Sequence, residues 1–160
     1  MASTYTPLGV ELMATGENAG TWGTKTNTNL NLIEQISAGY VVQTLNAAGA
    51  GANTTTLADG GTGATLATRV IILGGESAQA ITGNKIVTIP LDVETWYFIK
   101  NSTSGAYTVQ FKYASGSGSS FTWSTTQKDW RILYATANDG TNPDIAEVGL
   151  TTSPAGSDTQ

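Results

Sequence analysis

The chain has 160 residues, of which 12% are charged, and its formal net charge at pH 7 is −5. This length predicts a single domain. The sequence contains no His and no Cys, so the commonest general base, the usual neutral metal ligand and every thiol nucleophile or disulfide are missing. Most enzyme classes are therefore disfavoured, and we expect no catalytic residue, no metal site and no cofactor.

The charge distribution and the short apolar runs exclude two classes of partner. The seven Lys and Arg residues are scattered singly along an acidic chain, which does not favour nucleic-acid binding. The longest apolar runs, 70–73 and 96–99, are far shorter than the roughly 20 residues that span a bilayer. Residues 1–7 lack the basic and apolar regions of a secretory signal, so we expect retention in a cytoplasm.

Residues 1–39 are predicted to form an extended N-terminal arm followed by one short helix. Leu30, Ile33 and Ile36 recur at helical spacing, which predicts a helix from Asn27 to Ser37. We expect Asn27 or Asn29 to be its N-cap and Gly39 its C-cap. The apolar residues that precede the helix are too few and too unevenly spaced to form a core, so the arm needs a surface to pack against. These residues are Tyr5, Leu8, Val10, Leu12, Met13 and Trp22.

Residues 40–150 alternate with a period of two, which is typical of half-buried strands. About nine short strands are expected, separated by Gly, Asn, Asp and Ser clusters that predict turns; they are residues 40–45, 54–57, 68–73, 85–89, 95–100, 108–113, 120–124, 130–134 and 145–148. This spacing predicts an all-β fold, a β-sandwich or jelly-roll-like domain without crossover helices. The sequence shows no repeat, so a stacked-repeat architecture is not expected. The polar tail, residues 151–160, is expected to fray.

The aromatic residues of the body can be interpreted in two ways. They could form a carbohydrate-binding platform, but their placement at every second position favours packing in the core. Both faces of residues 130–134 carry large side chains, which predicts a strand that is covered on two sides. The aromatic residues in question are Trp96, Phe98, Phe111, Tyr113, Phe121, Trp123, Trp130 and Tyr134. Phe121 and Trp123 follow a flexible Ser-Gly stretch. Together with Tyr107 they are our candidates for contact with a glycan or with a neighbouring subunit.

Two further groups of polar residues were considered as sites. Asp92 and Glu94 stand two residues apart and could form a glycosidase pair, but a solvated loop between two strands is favoured. Residues 138–144 offer several oxygen donors that could bind calcium, yet they lack the spacing of a helix-loop-helix site. Asp-Gly and Asn-Pro are strong turn formers, so a plain hairpin connection is favoured there.

Three segments resemble one family of proteins. Residues 15–35, with the sequence Thr-Gly-Glu-Asn-Ala-Gly-Thr-Trp-Gly-Thr-Lys-Thr-Asn-Thr-Asn-Leu-Asn-Leu-Ile-Glu-Gln, are similar to the N-terminal module of virion structural and fibre-like proteins of tailed bacteriophages, especially those of marine cyanobacteria. Residues 81–90 and 101–109 continue the likeness. Longer family members follow this module with repetitive fibre sequence, so a complete distal fibre is not expected here.

The resemblance implies a non-enzymatic virion protein, assembled in the cytoplasm of a bacterial host as a homotrimer among other phage virion proteins. It implies that the arm docks this chain on the outside of the particle, as a fibre-type attachment module on head or tail. The docking residues would be Tyr5, Leu8, Val10, Leu12, Met13, Trp22, Leu30 and Ile33. The alternatives are a capsid decoration protein that bridges shell subunits and a module that binds a host surface polysaccharide.

Overall fold

The computed structural model of the chain describes residues 3–6, 9–47 and 53–149. Within these ranges the protein is mostly β, with several sheets, one α-helix and a short 3-10 helix. The expected all-β class is thus confirmed. The polar tail, residues 151–160, lies outside the described residues. No helix in the described ranges is long and apolar enough to cross a membrane.

The N-terminal segment contains a small hairpin followed by the helix. Strand β1, Thr4–Tyr5, pairs antiparallel with β2, Glu11–Leu12. Helix α1 spans Trp22–Ala38, and it therefore begins before the predicted start at Asn27.

The ends of α1 differ from the prediction on one side only. Its N-cap is Thr21, which makes no capping hydrogen bond through its side chain, so Asn27 and Asn29 lie inside the helix and the N-cap prediction is wrong. The predicted C-cap, Gly39, is confirmed, and its backbone N–H donates to the Gln35 carbonyl.

The body contains all nine strands that the alternation predicts, and two more that are very short. They are β3 (Tyr40–Gln43), β4 (Thr54–Thr56), β5 (Val70–Leu73), β6 (Gln79–Ala80), β7 (Lys85–Ile89), β8 (Thr95–Asn101), β9 (Thr103–Ser104), β10 (Val109–Tyr113), β11 (Phe121–Trp123), β12 (Trp130–Ala135) and β13 (Ile145–Glu147). The additional strands, β6 and β9, pair with each other. Strands this short do not show an alternation that can be recognised in a sequence. A 3-10 helix, Thr65–Ala67, lies between β4 and β5.

The strands of the body are wound into three stacked coils. Coil I contains β3 and β4, coil II contains β5, β6 and β7, and coil III contains β8, β9 and β10. The first strands of the coils pair in parallel within a five-stranded sheet of order β13-β12-β8-β5-β3. Their last strands pair in parallel within a four-stranded sheet of order β11-β10-β7-β4. After β10 the chain reverses, and β11, β12 and β13 are added antiparallel.

This winding corrects the expectation that stacked repeats are absent. Val70 pairs with Tyr40 in the coil before it and with Phe98 in the coil after it. Ile86 pairs in the same way with Thr54 and with Gln110. Because the separation along the chain differs from one of these pairs to the next, the coils leave no fixed period in the sequence. Parallel pairing needs a long return connection, and here a strand of another sheet provides it in place of a helix.

One hydrophobic core contains buried residues from both of the larger sheets. It contains residues stacked from coil to coil, such as Val41, Ile71 and Ile99 in the five-stranded sheet. Val87 and Phe111 are neighbours in the same way in the four-stranded sheet. Burying apolar side chains along these stacks is what holds the coils together.

The aromatic residues do not all belong to this core. Trp96, Phe98 and Trp130 are 42%, 37% and 49% exposed, and they project from the outer face of the five-stranded sheet. The prediction that they fill the core, and that residues 130–134 are covered on both sides, is therefore wrong. Phe111, Tyr113 and Trp123 are buried as predicted, whereas Phe121 and Tyr134 are half-buried.

Candidate functional site

The hairpin of the arm is fixed to α1 by one asparagine. Asn29 accepts a hydrogen bond from the Glu11 backbone N–H through Oδ1 (2.9 Å) and donates one to the Glu11 carbonyl through Nδ2 (3.0 Å). Both backbone groups of Glu11 that would otherwise need a strand partner are thus satisfied. The residue that we expected to cap the helix instead holds the arm against it.

An ion pair between a buried carboxylate and a partly exposed lysine lies at the same junction. Glu11 is only 8% exposed, and its Oε2 lies 2.9 Å from Nζ of Lys25. The hydrogen bond from Lys25 lowers the pKa of Glu11 although burial opposes that shift. In return, Glu11 raises the pKa of Lys25. Both groups are therefore held in their charged forms.

The arm also contacts the body at a pair of glycines. Gly9 has φ +86°, and a Cβ built on it would lie 2.4 Å from the carbonyl carbon of Gly60. Only glycine permits both this conformation and this close approach. The arm is therefore positioned by the helix on one side and by the loop around Gly60 on the other.

Six of the eight predicted docking residues are exposed on this arm and helix. Tyr5 (60%), Leu12 (55%) and Met13 (43%) belong to the arm, and Trp22 (67%), Leu30 (57%) and Ile33 (49%) belong to α1. Val10 is half-buried, and Leu8 lies outside the described residues. We call the six exposed residues the arm–helix surface.

The helical members of the arm–helix surface share one side of α1. At 3.6 residues per turn, Ile33 and Leu30 lie about 20° and 80° around the axis from Trp22. The side chain of α1 that is buried is Leu32, which the spacing-three pattern did not include. The helix therefore points one apolar residue inward and leaves an apolar stripe outside.

A shallow groove separates the two parts of the surface. It has a volume of about 270 Å³ and is lined by Met13, Ala14, Trp22 and three residues of the turn between them, Gly16, Asn18 and Ala19. Its walls combine flexible and aromatic apolar side chains, which suit the insertion of an apolar side chain from another protein.

The residues considered for glycan contact are less available. Trp123 is fully buried and cannot present its ring to a sugar or to a subunit, which corrects that candidate. Phe121 is half-buried and packs edge-on against Trp123, with ring centroids 4.8 Å apart. Tyr107 is 36% exposed in the turn before β10.

The acidic residues considered as sites lie in loops of the body. Asp92 and Glu94 lie on either side of the buried Val93, and Glu94 accepts a hydrogen bond from the Tyr134 hydroxyl (3.2 Å). In the loop 138–144, Asp139 accepts hydrogen bonds from the backbone N–H groups of Thr141 and Asn142. Among residues 3–6, 9–47 and 53–149, no group of three acidic residues could hold a metal ion.

A second hollow, of about 520 Å³, lies where residues 44–47 face residues 79–85. Its charged lining residue is Lys85, which is buried and donates to Oδ1 of Asn53 (3.0 Å). No carboxylate is among the described residues that line it, so they offer no acid–base pair.

Searches of protein-family models, of curated proteins and of solved structures found no match to this chain.

Proposed function

We propose that the chain is a non-enzymatic structural protein of a tailed-bacteriophage particle. It docks on the outside of the virion through the arm–helix surface, as a fibre-type attachment module on head or tail, after assembly in the bacterial cytoplasm. The observation that carries the proposal is the exposure of Trp22, Leu30 and Ile33 along one side of a helix. The phage-like motif, residues 15–35, contains all three of these residues.

Apolar side chains that stay exposed to water leave a free-energy gain unused. Burying a side chain such as Leu or Ile contributes about 1.5–3 kcal/mol relative to leaving it exposed. A helix that presents three large apolar residues on its outer side therefore favours a protein partner. The hydrogen bonds of Asn29 hold Tyr5, Leu12 and Met13 beside that stripe, so the partner meets one preformed surface.

The capsid decoration protein remains the alternative within the same class. A protein that bridges shell subunits needs two separate contact surfaces, and the exposed aromatic residues Trp96 and Trp130 offer a second one. Polysaccharide binding has weaker support, because of the three residues that we considered for glycan contact Trp123 is buried, Phe121 is half-buried and Tyr107 is exposed.

We also propose that the body is a β-sandwich whose two layers are the four- and five-stranded sheets. The core shared by their inner faces supports this arrangement. The parallel pairs favour a sandwich built from coils over a jelly roll, whose Greek keys are antiparallel.

The proposal is tested by the incorporation of variants into particles. The triple variant Trp22→Ser, Leu30→Ser, Ile33→Ser should remain folded but should be absent from purified virions. The matched control is Thr24→Ser with Asn31→Ser, which changes exposed polar residues that lie about 200° and 180° around the axis of α1 from Trp22. Quantitative immunoblotting of particles measures incorporation, and far-ultraviolet circular dichroism verifies folding.

Two results would contradict the proposal. One is incorporation of the folded triple variant at the level of the unchanged protein. The other is that purified particles do not contain the unchanged protein at all.

A further inference from the structure

The outer face of the five-stranded sheet is almost entirely apolar. The strand registers arrange its side chains in three rows across the sheet. The rows are Ala146, Tyr134 and Trp96; then Val148, Ile132, Phe98, Val70 and Tyr40; then Trp130, Lys100, Ile72 and Val42. Lys100 is the single charged residue in these three rows, and a second cation, the guanidinium of Arg69, lies over the Trp96 ring, 4.3 Å from its centroid.

The outer face of the four-stranded sheet can be compared with this apolar face, because both belong to the same domain. The residues that alternate with its core positions are Thr54, Thr56, Ile86, Thr88, Gln110, Lys112 and Thr122. These residues are mostly hydroxyl-bearing or otherwise polar, as expected of a sheet that faces water. The two outer faces of one domain thus differ in the way that a solvated face differs from an interface.

The exposed area on the apolar face is large enough for a specific contact. Trp96 (42%), Phe98 (37%), Trp130 (49%), Tyr40 (52%) and Val148 (45%) are each substantially exposed. Since an aromatic side chain buries about 150–250 Å², these five expose roughly 400–500 Å² of apolar surface. The half-buried Val42, Val70 and Ile132 add a smaller area, and an apolar patch of this size on a single protein is often functional. A stable interface buries roughly 800 Å² per partner, so the polar and charged groups around the patch supply the remainder.

The central strand, β8, carries a pattern that is complementary to itself. From Glu94, which directly precedes β8, to Lys100, the residues that point outward are Glu94, Trp96, Phe98 and Lys100. They are an acidic residue, two aromatic residues and a basic residue, in that order. Glu94 is placed on this face by its hydrogen bond with Tyr134. Lys100 is placed there with its Nζ 5.8 Å from the centroid of the Trp130 ring.

We propose that the outer face of the five-stranded sheet binds the same face of a second copy of this chain. A two-fold axis in the interface, perpendicular to β8 at the level of Tyr97, sets Glu94 of each copy against Lys100 of the other. The same axis sets Trp96 against Phe98. Stacked sheets cross at about 30° because each is twisted, so the closest contact falls on the central strand that carries the pattern.

A second copy fits this face better than a glycan does. A sugar needs hydrogen-bonding groups beside its stacking rings. Glu94, Lys100 and the Tyr134 hydroxyl supply such groups at the ends of the face, but the central row between them is made of Val, Ile, Phe and Tyr side chains. An isologous contact must be self-complementary, and opposite charges at opposite ends of one patch, Glu94 and Lys100, are one arrangement that meets this requirement. This contact is separate from the arm–helix surface.

The inference is tested by reversing charges one at a time and then together. Analytical ultracentrifugation of the unchanged full chain should give about twice the 16.5 kDa chain mass. Lys100→Glu alone and Glu94→Lys alone place like charges opposite each other twice per dimer. Each should weaken association by about tenfold or more, since such juxtaposition costs several kcal/mol. The double variant, and an equimolar mixture of the two single variants, should both regain the dimer.

The matched control is Lys112→Glu, which reverses a charge on the polar outer face of the four-stranded sheet and should leave association unchanged. Circular dichroism and thermal unfolding of each variant verify that the fold is retained. Phe98→Asp should also abolish the dimer. The inference is overturned by a chain that stays monomeric up to its solubility limit. It is equally overturned by a dimer or trimer that tolerates both single reversals, or by failure of the double variant to regain association.

Discussion

Gln79 binds both backbone groups of Leu45: its Oε1 accepts from the Leu45 N–H and its Nε2 donates to the Leu45 carbonyl, each at 2.9 Å. At this level coil II has strand β6, whereas the described residues of coil I form no strand that could pair with it. One amide side chain therefore joins coil I to coil II in place of a β-ladder. Asn29 joins the arm to the helix in the same way, through both backbone groups of Glu11.

Replacing Gln79 by Ala should lower the free energy of unfolding by about 1–3 kcal/mol, because it leaves two buried backbone groups of Leu45 unpaired. The matched control is Gln110→Ala, since Gln110 donates to the hydroxyl of the exposed Ser120. That change should cost less than about 0.5 kcal/mol. Urea unfolding of both variants measures the difference, and equal losses would contradict the role given to Gln79.

Trp123 and Trp130 should respond very differently to replacement by Ala. Trp123 is fully buried, so its removal should cost about 3–5 kcal/mol. Trp130 is 49% exposed on the outer face, and its removal should cost roughly 1–2 kcal/mol. Chemical denaturation at low protein concentration separates this effect from any association. A larger loss at Trp130 than at Trp123 would show that the outer face is covered within a single chain.

The attachment of the arm should weaken in acid. The folded pKa of Glu11 is lower than its unfolded value. The stability that Glu11 contributes to the attachment of the arm is therefore present above the unfolded pKa of about 4.3 and is lost as the pH falls through the folded pKa. The folded pKa of Lys25 is raised, so its contribution is present below about pH 10.4 and is lost at higher pH. The arm should therefore be held most firmly between about pH 5 and pH 10.

The amide of Glu11 reports on this attachment, because it donates to Asn29. Its protection factor in hydrogen exchange should fall as the pH is lowered through the acidic limit. In the variant Glu11→Gln the protection should be smaller at neutral pH and should no longer respond to acid. A protection factor in the unchanged chain that is constant down to about pH 2 would argue against the ion pair.

Gly39 is required by a close contact at the end of α1. Its φ is −63°, which any residue can adopt, but a Cβ there would lie 2.3 Å from the Gln35 carbonyl oxygen. Gly39→Ala should therefore destabilise the protein by about 1–3 kcal/mol. The control is Gly23→Ala, because a Cβ on Gly23 meets nothing within 4 Å. That change should stabilise the helix by up to about 1 kcal/mol, and thermal unfolding compares the two.

The strands of the body could be predicted because alternation is a local property. The segment 108–113 shows its inward residues Val109, Phe111 and Tyr113 directly, and the structure buries all three. Alternation shows which residues share a face, but it does not show whether anything covers that face. For this reason the pattern predicts Trp96 and Phe98 in the core, whereas the residue between them, Tyr97, is the one that is buried.

The candidate site could be predicted in part. Isolated apolar residues in a Thr- and Asn-rich segment indicated that the arm needs a surface to pack against. The roles of Glu11, Lys25 and Asn29 were missed, because each depends on a partner many residues away. A bidentate amide such as Asn29 or Gln79 leaves no local signal, since Asn and Gln are frequent in turns, caps and solvated faces alike.

By itself the sequence determined the all-β class, the position of the strands, the turns between them and the absence of His and Cys chemistry. These properties depend on residues close together in the chain, where side-chain periodicity and turn preferences act. Only the tertiary structure decided the coiled path, the exposed apolar face of the five-stranded sheet and the attachment of the arm. Those depend on register between segments that are far apart in the chain, and register is chosen by the burial of the whole core, which no short segment encodes.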